Sequence, residues 1–105
     1  MNKNSFVEYV ELNTSNISIE KEDEAIIKLR FNNGLRITLK FGDIDCFCCC
    51  YCKYLCLAST NLKLDDFEDE GSLFDAVIDF AIAFYEPFEK SVEEDLNVLY
   101  SYKMQ

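Results

Sequence analysis

The strongest constraint on the fold is a segment in which apolar and polar residues alternate on both sides of a short turn. Apolar residues occupy every second position from residue 27 to 31 and again from 35 to 41, mostly with charged residues between them. A period of two is typical of a β-strand with one buried face. Because Asn32-Asn33-Gly34 separates the two runs and is a turn signal, the segment predicts an antiparallel hairpin.

The length of the hairpin loop follows from which side chains must face the same way. Opposed residues of an antiparallel pair point to the same side of the sheet. A two-residue turn would oppose Phe31 to Arg36, whereas a three-residue loop opposes Phe31 to Leu35 and keeps the apolar rows together. The three-residue loop also places Gly34 at the left-handed position that it requires. The polar face then directs four cations to solvent: Lys28, Arg30, Arg36 and Lys40.

The rest of the N-terminal half is predicted to be antiparallel sheet as well. Residues 6–12 distribute apolar side chains over both faces of a strand, and residues 17–19 alternate weakly. Residues 46–57 are rich in Cys, Phe and Tyr without Gly or Pro, which favours a further strand of the meander. A helix is the alternative for this segment, because residues 47, 51, 54 and 55 would share one helical face.

Residues 46–57 also hold all the cysteines of the chain: Cys46, Cys48, Cys49, Cys50, Cys52 and Cys56. Short Cys spacings suit zinc, but a zinc knuckle needs a tight turn between paired ligands, and no Gly or Pro provides one here. The clustering also argues against a disulfide framework. Free cysteine packs as a small hydrophobe. We therefore expect buried thiols and no metal or other cofactor, with a metal or redox protein as the minor alternative.

The C-terminal part predicts an acidic loop followed by helices. The loop is expected over residues 63–70, and Ser72 with Asp75 three residues later resembles a capping box. Residues 73–85 are apolar on most sides, which predicts a central buried helix. Pro87 suits the first turn of a second helix over residues 87–102, although the end of that segment also alternates like a strand. The expected buried stripe of this second helix is Phe88, Val92, Leu96 and Leu99.

Together these segments predict one domain over residues 1–105. Its class is α+β, with an antiparallel β-meander of about four N-terminal strands packed by one or two C-terminal helices. No apolar run reaches the ~18–20 residues of a membrane helix, and residues 1–12 lack the apolar region of a signal peptide. We therefore expect a cytoplasmic protein without membrane contact.

The charge of the chain excludes some classes of function. Twenty acidic and ten basic residues give a net charge of −10, and histidine is absent. Residues 1–60 hold eight acidic and seven basic residues, whereas residues 61–105 hold twelve acidic residues and three lysines. This sign argues against direct nucleic-acid binding by phosphate neutralisation. The chain also lacks phosphate-binding glycine motifs and a catalytic triad, so we do not expect an enzyme.

Two acidic segments form the candidate partner-binding site. The first is a loop with five carboxylates in six residues, in which Phe67 is a possible apolar anchor. It lacks the glycine and the final glutamate of an EF-hand. The second is a helical face in which carboxylates are spaced at i, i+3 and i+7. The predicted site residues are Asp65, Asp66, Phe67, Glu68, Asp69, Glu70, Glu86, Glu89 and Glu93.

These features predict a small acidic inhibitor that binds and neutralises a basic partner protein. Its carboxylates would meet the Lys and Arg residues with which a toxin nuclease, or another protein that handles nucleic acid, holds phosphate. Bacterial immunity proteins and phage anti-defence proteins work in this way, and no motif in the chain identifies a family of either kind. The alternative is a structural or adaptor module that forms a homodimer.

Overall fold

The computed structural model describes residues 1–32 and 34–103; for residues 95, 96, 98–100 and 103 the description covers the backbone only. The elements in chain order are α1 (Lys3–Asn13), β1 (Ser18–Lys21), β2 (Ile26–Arg30), β3 (Leu35–Phe41), β4 (Asp45–Cys52), β5 (Leu55–Lys63), a 3-10 turn (Leu64–Asp66) and α2 (Glu70–Lys103). The strands form one antiparallel sheet in the order β1-β2-β3-β4-β5. The α+β class and the meander are confirmed, with five strands in the described residues instead of about four.

The hairpin of β2 and β3 has the predicted register. Ile27 is paired with Leu39 and Leu29 with Ile37, so the apolar rows share one face. The Phe31 N–H donates to the Leu35 carbonyl at 3.0 Å, and Gly34 has a φ of 88°. The loop therefore spans residues 32–34, of which Asn33 lies outside the described residues.

Gly34→Val is expected to lower the free energy of unfolding by about 1–2 kcal/mol, because a side chain in the left-handed region strains the backbone. A Cβ atom at Gly34 would meet no atom within 4 Å among the described residues other than its chain neighbours, so no clash with the rest of the fold adds to this strain. Gly34→Asn is the matched control, since Asn tolerates positive φ. Urea unfolding measures both variants, and equal stability of the two would contradict the strain argument.

The cysteine-rich segment forms two strands where one was predicted. The helix alternative is wrong, because residues 45–52 form β4 and residues 55–63 form β5. Lys53 lies in the connecting turn with a φ of 57°. Glycine is the usual residue in this left-handed conformation, and because lysine stands in its place here, the sequence shows no signal for the turn. The Lys53 N–H donates to the Gly34 carbonyl at 3.3 Å. The two hairpin turns therefore lie side by side at one end of the sheet.

The N-terminal residues form helix α1, so their assignment to the sheet is wrong. The Asn2 side chain accepts from the Ser5 N–H at 2.9 Å while the Ser5 hydroxyl accepts from the Asn2 N–H at 3.0 Å, which closes a capping box. Phe6 and Val10 lie one helical turn apart and are completely buried. The amphipathic spacing of these two residues outweighs the local β pattern because their burial against the sheet stabilises the helix.

The core lies between the two helices and one face of the sheet. It contains the inward residues of β2, β3 and β4 together with residues from both helices: Phe6, Val7, Val10, Ile27, Leu29, Leu35, Ile37, Leu39, Cys46, Cys48, Cys50, Leu64, Leu73, Val77 and Ala81. Cys46, Cys48 and Cys50 of β4 thus pack as small hydrophobes, as the sequence predicted. The prediction of buried thiols is wrong for the other three, because Cys49 and Cys52 are half-buried and Cys56 is exposed. The other sheet face carries the cations of β2 and β3.

Helix α2 is continuous, so the predicted break at Pro87 is wrong, as is the strand alternative for its end. Proline at this position removes one backbone donor from the helix interior. The beginning of the helix also differs from the prediction. Asp69, and not Ser72, is the cap: its carboxylate accepts from the Ser72 N–H at 2.8 Å, and the Ser72 hydroxyl accepts from the Asp69 N–H at 3.3 Å.

The C-terminal part of α2 extends past the sheet. The helix has 34 residues and a length of about 51 Å, whereas the longest strand has nine residues and spans about 30 Å. The predicted stripe is accordingly not buried along its length: Phe88 is half-buried and Val92 is 40% exposed. Leu96 and Leu99 belong to the same predicted stripe, but their side chains lie outside the described part of the helix.

Candidate functional site

The acidic loop is an exposed turn attached to the core by apolar side chains. Leu64 is buried, and its N–H donates to the Ile44 carbonyl at 2.9 Å. Phe67 is half-buried and packs against the core, so it is not an exposed anchor for a partner. Glu70 is half-buried. The other four carboxylates of the loop are exposed: Asp65, Asp66, Glu68 and Asp69.

Part of this acidic cluster has a structural role. The Asp69 carboxylate caps helix α2 through the Ser72 N–H, an interaction that contributes about 1 kcal/mol to stability. Acidic residues before and in the first turn of a helix are also stabilised by its dipole. The carboxylates of Asp65, Asp66 and Glu68 are exposed, and these three residues remain the loop's candidates for partner binding.

The second predicted segment lies far from the loop along α2. Glu86, Glu89 and Glu93 are exposed, and their spacing places them on one helical face. Sixteen residues separate Glu70 from Glu86, which corresponds to about 24 Å along the helix. The two predicted segments therefore do not form one surface by themselves.

Two carboxylates that the sequence analysis did not select bridge this gap. Asp75 and Asp79 are exposed, and at 100° per residue they lie on the same helical face as Glu86 and Glu93. A row of solvent-facing carboxylates thus runs along the helix for about 27 Å, and we call it the acidic ridge: Asp75, Asp79, Glu86, Glu89 and Glu93. Ile82, 47% exposed, lies within the ridge and is its apolar element. The four- and seven-residue spacings were the signal that could have identified Asp75 and Asp79.

Among the described side chains, no Lys or Arg forms an ion pair with a carboxylate of the acidic ridge. The ion pairs found there join Lys28 to Glu22 at 2.6 Å and Arg30 to Glu20 at 2.8 Å, both on the sheet. Like charges three or four residues apart destabilise a helix by a few tenths of a kcal/mol per pair, and the ridge contains such neighbours.

Positive charge is concentrated on a different surface of the molecule. Arg36 and Lys40 project from β3 on the open face of the sheet, and the Arg36 guanidinium lies 5.1 Å from the centre of the Tyr51 ring. This contact has the geometry of a cation–π interaction. Negative and positive charges are therefore separated on the surface of the protein, with the acidic ridge on the outer side of α2 and the cations on the sheet.

The cysteines do not form a reactive site on the buried side of β4. Burial raises the pKa of Cys46 and Cys48 to about 12 and that of Cys50 to about 11. These thiols are therefore protonated at neutral pH, whereas the thiolate is the nucleophile and the metal ligand. Among the described residues, no three His, Cys, Asp or Glu side chains are grouped to hold a metal ion. That the protein binds no metal stays a prediction.

Comparison of the chain with family models, with curated proteins and with solved structures gives no match. In the part of the chain that the structure describes, no helix has both the length and the apolar character to cross a membrane. Fold and surface together define a two-layer α+β domain with one long helix whose outer face is acidic. Its function is therefore inferred from that surface.

Proposed function

We propose that this chain is a small acidic inhibitor that binds a basic protein through the acidic ridge and the adjoining loop, and that it acts by binding and not by catalysis. The observation that carries the proposal is the row of exposed carboxylates without ion-pair partners among the described side chains. Partners of the expected kind are toxin nucleases and other proteins that handle nucleic acid. The function would then be that of an immunity protein or of a phage anti-defence protein.

The geometry of the ridge suits a surface that normally holds phosphate. Successive carboxylates rise by about 4–10 Å along a rigid helix, so several cations of a groove can be engaged at once. A field of one sign over about 27 Å accelerates association with a basic partner and makes the rate dependent on salt. Ile82 would add apolar contact between the charged ends.

Cytoplasmic residence is part of this proposal. All six cysteines are free, including Cys56, which is exposed. A reducing compartment preserves such thiols, whereas an oxidising one would promote their pairing.

The proposal is tested with basic candidate partners, beginning with any nuclease or other basic protein whose gene is found to adjoin this one. The ridge variant changes Asp75 and Asp79 to Asn and Glu86 and Glu93 to Gln. Because steering depends on the local field, we expect its association rate to fall by more than about tenfold and the salt dependence of that rate to flatten. Stopped-flow measurements over a range of salt concentrations give both quantities.

A matched control removes the same charge elsewhere. It carries amide substitutions at four exposed carboxylates away from α2: Glu8, Glu11, Glu24 and Asp43. Association of this control should slow by no more than about threefold, because dispersed surface charges contribute little individually. Equal effects of the two variants would mean that net charge, and not the acidic ridge, drives binding, and the proposal would fail.

A further inference from the structure

Three cationic residues line one cleft at the end of the sheet. The cleft has a volume of about 430 Å³ and lies between the β2–β3 loop and the turn that joins β4 to β5. Arg30 belongs to β2, Arg36 to β3 and Lys53 to the β4–β5 turn. Because the Lys53 N–H donates to the Gly34 carbonyl at 3.3 Å, the two turns are held together and the three cations stay close to one another.

Two of these cations are directly opposed in the sheet. Arg30 is the register partner of Arg36, so both side chains leave the same face of the β2–β3 pair. Like charges in opposed positions destabilise a sheet. The Glu20 carboxylate offsets part of this repulsion, since it lies 2.8 Å from the Arg30 guanidinium. Arg36 has no such neighbour, because none of the described carboxylates forms an ion pair with it.

The Arg36 guanidinium is held in place but lacks an acceptor. It lies 5.1 Å from the centre of the Tyr51 ring, and stacking of this kind leaves the in-plane N–H groups for other partners. The Arg36 Nε is shielded from solvent and has no hydrogen-bond acceptor among the described residues. Such a donor is costly. The acceptors that a guanidinium binds best are the oxygens of carboxylates and phosphates.

The chain does not provide this anion itself, although it contains twenty acidic residues. Lys53 also borders the cleft of about 290 Å³ on the helix side, which Glu89 lines. No ion pair joins Lys53 to Glu89 or to another carboxylate of the described residues. In a protein with a net charge of −10, two unpaired cations at one cleft indicate an anion from outside the chain.

The lining and the size of the cleft narrow the class of this anion. Phe31 and Tyr54 add aromatic surface to the lining, and the side chain of Tyr54 is fully exposed. An exposed ring beside cations suits a ligand with a flat ring of its own, which can stack on it. Small-molecule sites have volumes of roughly 300–1,000 Å³, a range that includes this cleft. A phosphate monoester carries about −1.5 to −2 charges at pH 7 and offers three acceptor oxygens, so it matches three cations better than a carboxylate does.

We propose that this cleft binds an aromatic phosphate monoester of the size of a nucleoside monophosphate. The phosphate lies between Arg36 and Lys53, and the ring of the ligand stacks on Tyr54. Arg30 adds positive charge that Glu20 neutralises in part. Because none of these residues belongs to the acidic ridge or the acidic loop, the site goes beyond the proposed function and does not rest on it. Repulsion by distant carboxylates of the chain is screened beyond about 8 Å at physiological ionic strength.

Titration of the full chain with phenyl phosphate, followed by backbone amide shifts in NMR spectra at physiological salt, tests the site. We expect a dissociation constant of about 1 mM or below, with the largest shift changes at residues 34–36 and 53–54. Benzoate has the same ring with a carboxylate, and inorganic phosphate has no ring. Each of these two probes should bind at least about fivefold more weakly than phenyl phosphate, because each lacks part of the match.

Arg36→Met and Lys40→Met are matched variants. Each removes one cation of β3 from the same sheet face, but Lys40 is four residues away and does not line the cleft. Arg36→Met should weaken phenyl phosphate binding by at least about tenfold, because a charge-assisted hydrogen bond is lost. Lys40→Met should change the dissociation constant by no more than about twofold. Arg36→Met should also melt at the parent's temperature or above, since it removes a buried donor without an acceptor and a charge opposed to Arg30.

Lys53→Asn tests the other cation without altering a strand. Asn tolerates the positive φ of this position, so the turn is kept, and we expect binding to weaken by about fivefold or more. The proposal would be overturned by a parent that does not bind phenyl phosphate at about 10 mM, by benzoate binding as tightly as phenyl phosphate, or by equal losses in Arg36→Met and Lys40→Met. The acidic ridge is unchanged in all three variants, so this proposal and the proposed function can fail separately.

Discussion

Phe6→Ala is expected to lower the free energy of unfolding by about 3–5 kcal/mol. Phe6 is completely buried, and its ring centroid lies 5.5 Å from that of Phe41 in β3 and 6.3 Å from that of Phe74 in α2. Its removal leaves a cavity at the point where both helices meet the sheet. Domains of this size are stable by only about 5–15 kcal/mol, so the variant should be close to unfolding at ambient temperature.

Leu12→Ala is the matched control for this variant. It shortens an apolar residue of the same helix, but Leu12 is 77% exposed, so we expect a change of no more than about 0.5 kcal/mol. Urea unfolding followed by circular dichroism measures both variants on one scale. A small effect of Phe6→Ala would show that α1 is not part of the cooperative core.

The sequence was most informative where two independent constraints agreed. In the β2–β3 hairpin, the period of two and the position of Gly34 allow one register, and the structure has that register. Helix α1 was missed because its apolar positions are few and fit a strand almost as well. Its signals were the Asn2–Ser5 capping box and the burial of Phe6 and Val10. Such burial depends on the rest of the fold and cannot be derived from the segment alone.

The turn between β4 and β5 was missed because Lys53 has a positive φ, a conformation in which glycine is the usual residue. That error had a consequence for the site. Without this turn, nothing in the sequence places Lys53 beside Gly34. The cleft of about 430 Å³ that Arg30, Arg36 and Lys53 line could therefore not be predicted. The acidic ridge was predicted in part, since the i, i+3, i+7 pattern identified its C-terminal carboxylates. Phe67 is half-buried against the core, a contact that its acidic neighbours in the sequence did not indicate.

Raising the pH from 7 to 10 is expected to remove about 4 kcal/mol of stability through the three buried cysteines of β4. Their pKa is raised by burial to about 12 for Cys46 and Cys48 and about 11 for Cys50, from an ordinary value of 9.0. The folded chain therefore keeps these protons in a range where the unfolded chain releases them. Above pH 9, each thiol favours unfolding by about 1.4 kcal/mol per pH unit.

Cys48→Ala isolates this effect from the titration of tyrosines and lysines, which is common to all variants. The stability difference between the parent and Cys48→Ala, whatever its size at pH 7, should shift by about 1.4 kcal/mol in favour of the variant at pH 10. Cys56→Ala, which removes the exposed thiol, is the matched control. Urea unfolding under reducing conditions at both pH values provides the comparison. A constant difference for Cys48→Ala would mean that its thiol ionises normally in the folded protein, and the cysteines would then be candidates for metal or redox chemistry instead of core packing.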